Sequence, residues 1–191
     1  MYFTGRQHAG ENLADILKWR ARGLSAPIQM CDALSRNTPK LSEGITILLA
    51  VCLAHGRRQL VEVAQNFPEQ CRYVLELLGQ VYYNDAQARQ QKLSPEHRLR
   101  FHQRWSGPVM EQLHGWLEAQ FAKKKTEPNS GLGKAITYLL RHWKGLTAFL
   151  REQERLWTTT SASRRSSALS CIAKMHCFIK PCMRLRWAIC S

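Results

Sequence analysis

Two short apolar runs, each closed off by turn residues, constrain the fold of this chain more than anything else in it. Pro27-Ile28-Gln29-Met30-Cys31 ends in Asp32, and Ile45 to Leu53 ends in Ala54-His55-Gly56-Arg57-Arg58. Each is short, and Pro27 and the Asn37-Thr38-Pro39 turn bracket the first, so both are predicted as buried strands rather than helices. Strands that are apolar along their whole length belong to sheets covered on both faces. In an open α/β sheet, functional groups gather beyond the carboxyl ends of the strands, which is where Asp32 and His55 are expected.

Helical periodicity dominates the rest. Gly10-Glu11-Asn12 opens an amphipathic segment with Leu13, Ile16 and Leu17 on one face and Gly23 as its terminator. After the second strand, a helix is expected from Arg57 to Asn66, and Pro68 starts another with Cys71, Val74, Leu75, Leu78, Val81 and Tyr82 at three-and-four spacing. Ser94-Pro95-Glu96 caps and starts a third, which Ser106-Gly107-Pro108 breaks. Leu113, Trp116, Leu117 and Phe121 mark a fourth, and Ile136 to Leu150 a last one with a wide apolar stripe. Trp105, Trp116 and Trp143 fall on apolar faces and read as core.

Charge is unevenly spread. Of 28 Lys and Arg against 14 Asp and Glu, six basic residues and no acid lie in residues 157–191. A net charge of +14 favours phosphate-bearing partners, nucleic acid above all. The start carries no targeting pattern, and no uncharged apolar run approaches the roughly 20 residues of a membrane helix, so a cytoplasmic protein without a membrane partner is expected. Seven cysteines, four of them in the tail, do not form the framework of a secreted disulfide protein.

Specific strings carry a resemblance. IQMCDALSRN, then CLAHGRRQLVEVAQNFPEQCRYVLELLGQVYYNDA, closely resembles the insertion-sequence-66 family of bacterial DDE transposases, as do YFTGRQHAGENL near the start and EPNSGLGKAITYLLRHWKGLTAFL at Glu127 to Leu150. The resemblance is dense from Tyr2 to about Leu150. It implies an α/β fragment: a partial RNase H-like catalytic core over residues 1–66, with strands near 27–32 and 45–53, followed by a mainly α-helical insertion over 67–152. Residues 153–191 are expected to be a disordered tail. The family's first strands have no room before Met1, so the chain reads as beginning in mid-domain.

The tail departs from the family in a particular way. From Trp157 it has no acids and no sustained periodicity, with a burst of Cys, Ser and Arg. Re-parsed in a neighbouring reading frame, the Trp157-Thr158 junction forces an Asp, and the following codons permit LDNNICE. Ile172 to Pro181 can likewise be re-read as HRKNALFYKT. Both strings resemble the family at and beyond its third acidic residue, so the tail is read as a frameshift product, the family's glutamate falling around Ala162-Ser163 in the unused frame.

The family's chemistry uses two divalent metals held by three carboxylates to cut and join phosphodiesters. Hard oxygen ligands imply Mg²⁺ or Mn²⁺. Asp32 matches the second acidic position and is the expected catalytic and metal-binding residue. With the first Asp and final Glu missing, the expected outcome is a catalytically inactive fragment whose partners are DNA, at insertion-sequence ends, and full-length transposase. His55, Arg57 and Arg58 are the candidate DNA contacts, since arginines beside such a carboxylate clamp phosphates. The competing reading has Cys52 in the core, His55 bonding at the strand end or supporting Asp32, and both arginines covering a solvated helical turn. Cys52 and His55 also make half a zinc site, and the tail cysteines with His176 form an irregular cluster matching no common finger. Lys123-Lys124-Lys125 reads as a solvated helix end. The alternative function is a small basic helical regulator that binds DNA or transposase without catalysis.

Overall fold

The expected starts at Pro68 and Ser94-Pro95 stand in the computed structural model, and a further helix starts behind Ser130. The structure describes residues 8–20, 24, 26–41 and 43–152. Ser94 accepts from the His97 N–H at the start of the helix Pro95–Trp105 (α4), and Ser130 accepts from the Gly133 N–H at 3.0 Å at the start of Gly131–Arg141 (α6). Such caps satisfy amide donors that the helix itself cannot. In chain order the other helices are α1 (Ala9–Lys18), α2 (Leu53–Val63), α3 (Pro68–Gln90), α5 (Gly107–Ala122) and the one-turn α7 (Trp143–Leu146), with short 3₁₀ turns at Ser35–Asn37 and Ala148–Leu150. The protein is mainly helical, with a small sheet. No helix among the described residues is long and apolar enough to cross a membrane.

The sheet has two parallel strands among the described residues, β1 (Ile28–Cys31) and β2 (Leu48–Val51), paired with Ile28 opposite Leu48 and Cys31 opposite Val51. The second strand is shorter than the expected run from Ile45 to Leu53. Its ladder opens where the Leu48 N–H meets the Pro27 carbonyl at 2.9 Å, since Pro27 has no N–H to extend it. At its far end Cys52 is already the cap of α2, so α2 begins four residues earlier than Arg57. Cover is also one-sided in sequence order: Ala50 and Val51 of β2 are buried, whereas β1 is half-buried and its Ile28 exposed.

One apolar core joins these pieces. Val51, Leu53 and Leu60 share it with Val74, Leu78 and Val81 of α3, Met110, Leu113 and Leu117 of α5, and Ile136 and Leu139 of α6. The spacing within α3, α5 and α6 is helical, so each of these helices turns one stripe inward. Each such side chain contributes on the order of 1.5–3 kcal/mol by leaving water. The expected single helix over Ile136 to Leu150 is broken instead. His142 leaves helical geometry, and the chain turns so that α7 lies on β2. Gly145 makes that approach: a Cβ there would stand 2.6 Å from Val51 Cγ2. The bend buries Leu146, Ala148 and Phe149. Trp116 and Trp143 pack half-buried against the core, but Trp105 does not; it lies 53% exposed at the end of α4.

The segment α1 ends at Lys18, ahead of the expected terminator Gly23, which is not among the described residues. The re-framed tail, its four cysteines and its expected disorder also lie outside them.

Candidate functional site

Asp32 is the first residue past β1, and the local sequence fixes it. Ala33 adopts a left-handed conformation (φ 64°), which turns the chain back on itself. Asp32 Oδ1 then accepts from the Leu34 N–H at 3.2 Å and from Asn37 Nδ2 at 2.9 Å. An aspartate bonding its own backbone two residues on is an ordinary turn device. Cys31 Sγ accepts from the Ala33 N–H at 3.4 Å. From the far side of the sequence, the Tyr138 hydroxyl on α6 donates to the Asp32 carbonyl at 3.0 Å. Both the side chain and the peptide of Asp32 are thus held.

The electrostatics follow. The Asn37 amide lowers the Asp32 carboxyl below its ordinary value, partial burial opposes it, and the Leu34 N–H and the nearby His55 add to the lowering. Asp32 is therefore a carboxylate at neutral pH. Tyr138 moves the other way: burial, with Asp32, Cys52 and Cys31 near it, pushes its phenol up to about 12. Tyr138 stays a hydrogen-bond donor.

His55 sits in the first turn of α2, beyond the end of β2, close enough for its charge to act on Asp32. Its side is solvent-exposed. Arg57 is half-buried on the same helix with no acidic partner among the described residues, and Arg58 is exposed and pairs with Glu62 at 3.0 Å. The structure therefore brings Asp32 and His55 together, with the two arginines further along the helix that carries His55.

A two-metal centre needs more oxygen donors than stand here. Among the described residues no group of three His, Cys, Asp or Glu is placed to hold a metal ion. Asp32 has one oxygen engaged by Leu34 and Asn37 and offers the other alone. Cys52 is buried while His55 is exposed, and no third ligand joins them among the described residues. These residues do not fit the metal pair that the resemblance implies.

The sequence reading passed over two groups. Tyr138 lies beside the buried stripe of α6 and gave no signal. Asp85 gave one: it falls on the buried face of α3 with Leu78, Val81 and Ala88, where a charge needs partners. It is 1% exposed and pairs with Arg89 and Arg98, with His102 Nε2 3.5 Å away. His102 Nδ1 in turn lies 3.1 Å from Ser106 Oγ. Burial alone raises the Asp85 carboxyl, but His102, Arg89 and Arg98 outweigh it and hold the group below the ordinary carboxylate range. This cluster locks α4 onto α3.

Asp32 is thus fixed at the carboxyl end of a parallel strand on a basic and mostly helical protein, and the comparisons put the chain in a transposase family. The family model described as Transposase IS66 family matches residues 1–164, and the chain belongs to that family. The match runs past Leu150, where the string resemblance fades. An uncharacterized protein, y4jD, of Sinorhizobium fredii (strain NBRC 101917 / NGR234) is 40% identical over 119 residues, 61% of this chain and 22% of that protein. A second from the same strain, the uncharacterized protein y4hP, is 29% identical over 143 residues, 67% of this chain and 25% of that protein. The chain thus spans a quarter or less of the length of these relatives. No solved structure matches.

Proposed function

We propose that this chain is a portion of an IS66-type transposase, a family role of DNA transposition by metal-dependent phosphodiester cleavage and strand transfer, and that by itself it binds DNA without cutting it. Residues 1–66 represent part of an RNase H-like core and residues 67–152 its helical insertion. The observation that carries this reading is Asp32: an ionised carboxylate at a parallel strand end that belongs to no group of three His, Cys, Asp or Glu placed to hold a metal ion among the described residues. One carboxylate cannot organise two metals, and metal positioning supplies most of this chemistry.

DNA association rests on the family and on the charge of +14. Arg57 has no acidic partner among the described residues, and the exposed Arg58–Glu62 pair is weak enough to yield to a phosphate. His55 is on the same helix and close enough to Asp32 to act on its carboxyl.

The test uses the full chain with duplex DNA and Mg²⁺ or Mn²⁺. Binding is expected to weaken steeply as salt rises, to weaken further in Arg57→Ala and Arg58→Ala, and to produce no nicks. Metal-dependent nicking that disappears in Asp32→Asn overturns the inactive part of the reading. Absence of salt-sensitive binding overturns the DNA part.

A further inference from the structure

Helix α4 turns outward what its pattern places inside. Trp105 is 53% exposed, and the Arg104 guanidinium lies 5.3 Å from its ring centroid. Phe101, one turn earlier, tilts against the same indole with centroids 6.5 Å apart. On the neighbouring α3, Tyr83 is 63% exposed. The two aromatics come to the same end of the α3–α4 seam, because the Asn84 amide, next to Tyr83, donates to Ser106 Oγ, next to Trp105, at 3.2 Å. The buried Asp85 cluster fixes that seam, so the surface is preorganised.

Charge and composition narrow the partner. Arg100 and Arg104 stand four residues apart on the exposed side of α4, about 6 Å along its axis. Arg104 has no acidic partner among the described residues, and Arg100 has only the exposed Glu96. Between residues 68 and 152, Tyr83 and Trp105 are the only large hydrophobics that lie exposed. Protein interfaces enrich Tyr, Trp and Arg as well, but around a more apolar patch core, and no other large hydrophobic lies exposed between residues 68 and 152 to supply one. Isolated aromatic faces beside the Arg104 guanidinium suit nucleic-acid bases instead, and they suit unpaired ones, since a duplex covers both faces of every internal base.

We propose that Trp105, Arg104 and Tyr83 form a stacking surface for the unpaired bases of single-stranded DNA. The proposal rests on the reading that the chain binds DNA, and adds the strand state it recognises and the residues that do so. None of these residues belongs to the Asp32 site.

Fluorescence anisotropy of the full chain with a labelled oligothymidine and with a labelled mixed-sequence duplex tests it. Trp105→Ala is expected to weaken oligothymidine binding about tenfold, Tyr83→Ala less, and Trp105→Phe to retain most of the affinity, with duplex binding unchanged in all three. Because both positions are exposed, circular dichroism should match the parent chain. Oligothymidine binding by Trp105→Ala equal to the parent overturns the proposal, as does an equal loss for both DNAs. Parent binding to duplex but not to oligothymidine overturns it while leaving DNA binding intact. Binding to neither overturns both.

Discussion

The phenol of Tyr138 donates to the backbone carbonyl of Asp32 at 3.0 Å, across 106 residues of sequence. This bond ties the only acidic strand end of the described sheet to the helical body, while burial first, and then the nearby Asp32, Cys52 and Cys31, give Tyr138 its unusual titration. A phenol raised from 10 to about 12 is kept neutral by the fold. Its contribution to stability is complete below pH 10 and disappears as pH rises through about 12. Tyr138→Phe is expected to cost about 1 kcal/mol at neutral pH, one hydrogen bond, and to remove a phenol step near 12 from an ultraviolet absorbance titration. An unchanged titration in the variant would contradict the assignment.

Asn37 is the main reason that Asp32 ionises early. Removing its amide in Asn37→Ala should move the Asp32 carboxyl upward, followed by the carboxyl-carbon shift in NMR, and His55→Ala should move it less. The lowered value means that Asp32 adds stability above the ordinary carboxylate range and loses it as pH falls through its folded value. If His55→Ala moves the carboxyl more than Asn37→Ala, the ordering of causes is wrong.

Asp85 is the charge on which the helical body depends most. Asp85→Ala leaves Arg98, whose side chain is 15% exposed, without its acid, and breaking such a buried pair costs about 3–5 kcal/mol. Denaturant unfolding of the variant reads this directly. The lowered Asp85 carboxyl gives stability that is present above its unfolded value near 4 and lost on acidification through the folded one. The variant's stability should therefore vary less with pH in the acid range than the parent's, and parallel acid profiles would remove Asp85 from this role.

Two glycines are expected to respond in opposite directions to one methyl group. At Gly133 a Cβ would stand 2.7 Å from the Pro128 carbonyl oxygen and press on the Glu127 carbonyl as well, both backbone atoms that cannot step aside. Gly133→Ala should cost about 1–3 kcal/mol. At Gly115, exposed within α5, a Cβ meets nothing within 4 Å, so Gly115→Ala should stabilise by up to about 1 kcal/mol through helix propensity. Thermal melts of the two variants that shift in the same direction would count against this packing.

Much of the helical body was legible. Pro68, the Ser94-Pro95 pair and the three-and-four spacing of Leu78, Val81, Leu113 and Leu117 all follow from backbone and burial rules that act within a few residues. The strand pair and Asp32 at its end were legible too, from Pro27 and the apolar runs. What escaped depends on distant partners. The extent of β2 is set by Pro27 across the ladder, and the break at His142 by the need of α7 to reach Val51. Trp105 misled because an apolar residue at helical spacing says nothing about whether a neighbouring helix covers it. Tyr138 could not be found from its own surroundings, since its hydroxyl is explained only by a carbonyl more than a hundred positions away.

That distance also sets an order of events during synthesis. β1 and Asp32 leave the ribosome early, yet neither the Tyr138 hydroxyl on α6 nor the Gly145 approach to Val51 can exist until nearly all of the described chain has emerged. The helices from α3 to α5 make their contacts among near neighbours in sequence and can form while the chain is still growing. Among the described residues, the tie between the acidic strand end and the helical body is therefore among the last to form, and a nascent chain released before residue 138 has Asp32 held only by its own turn.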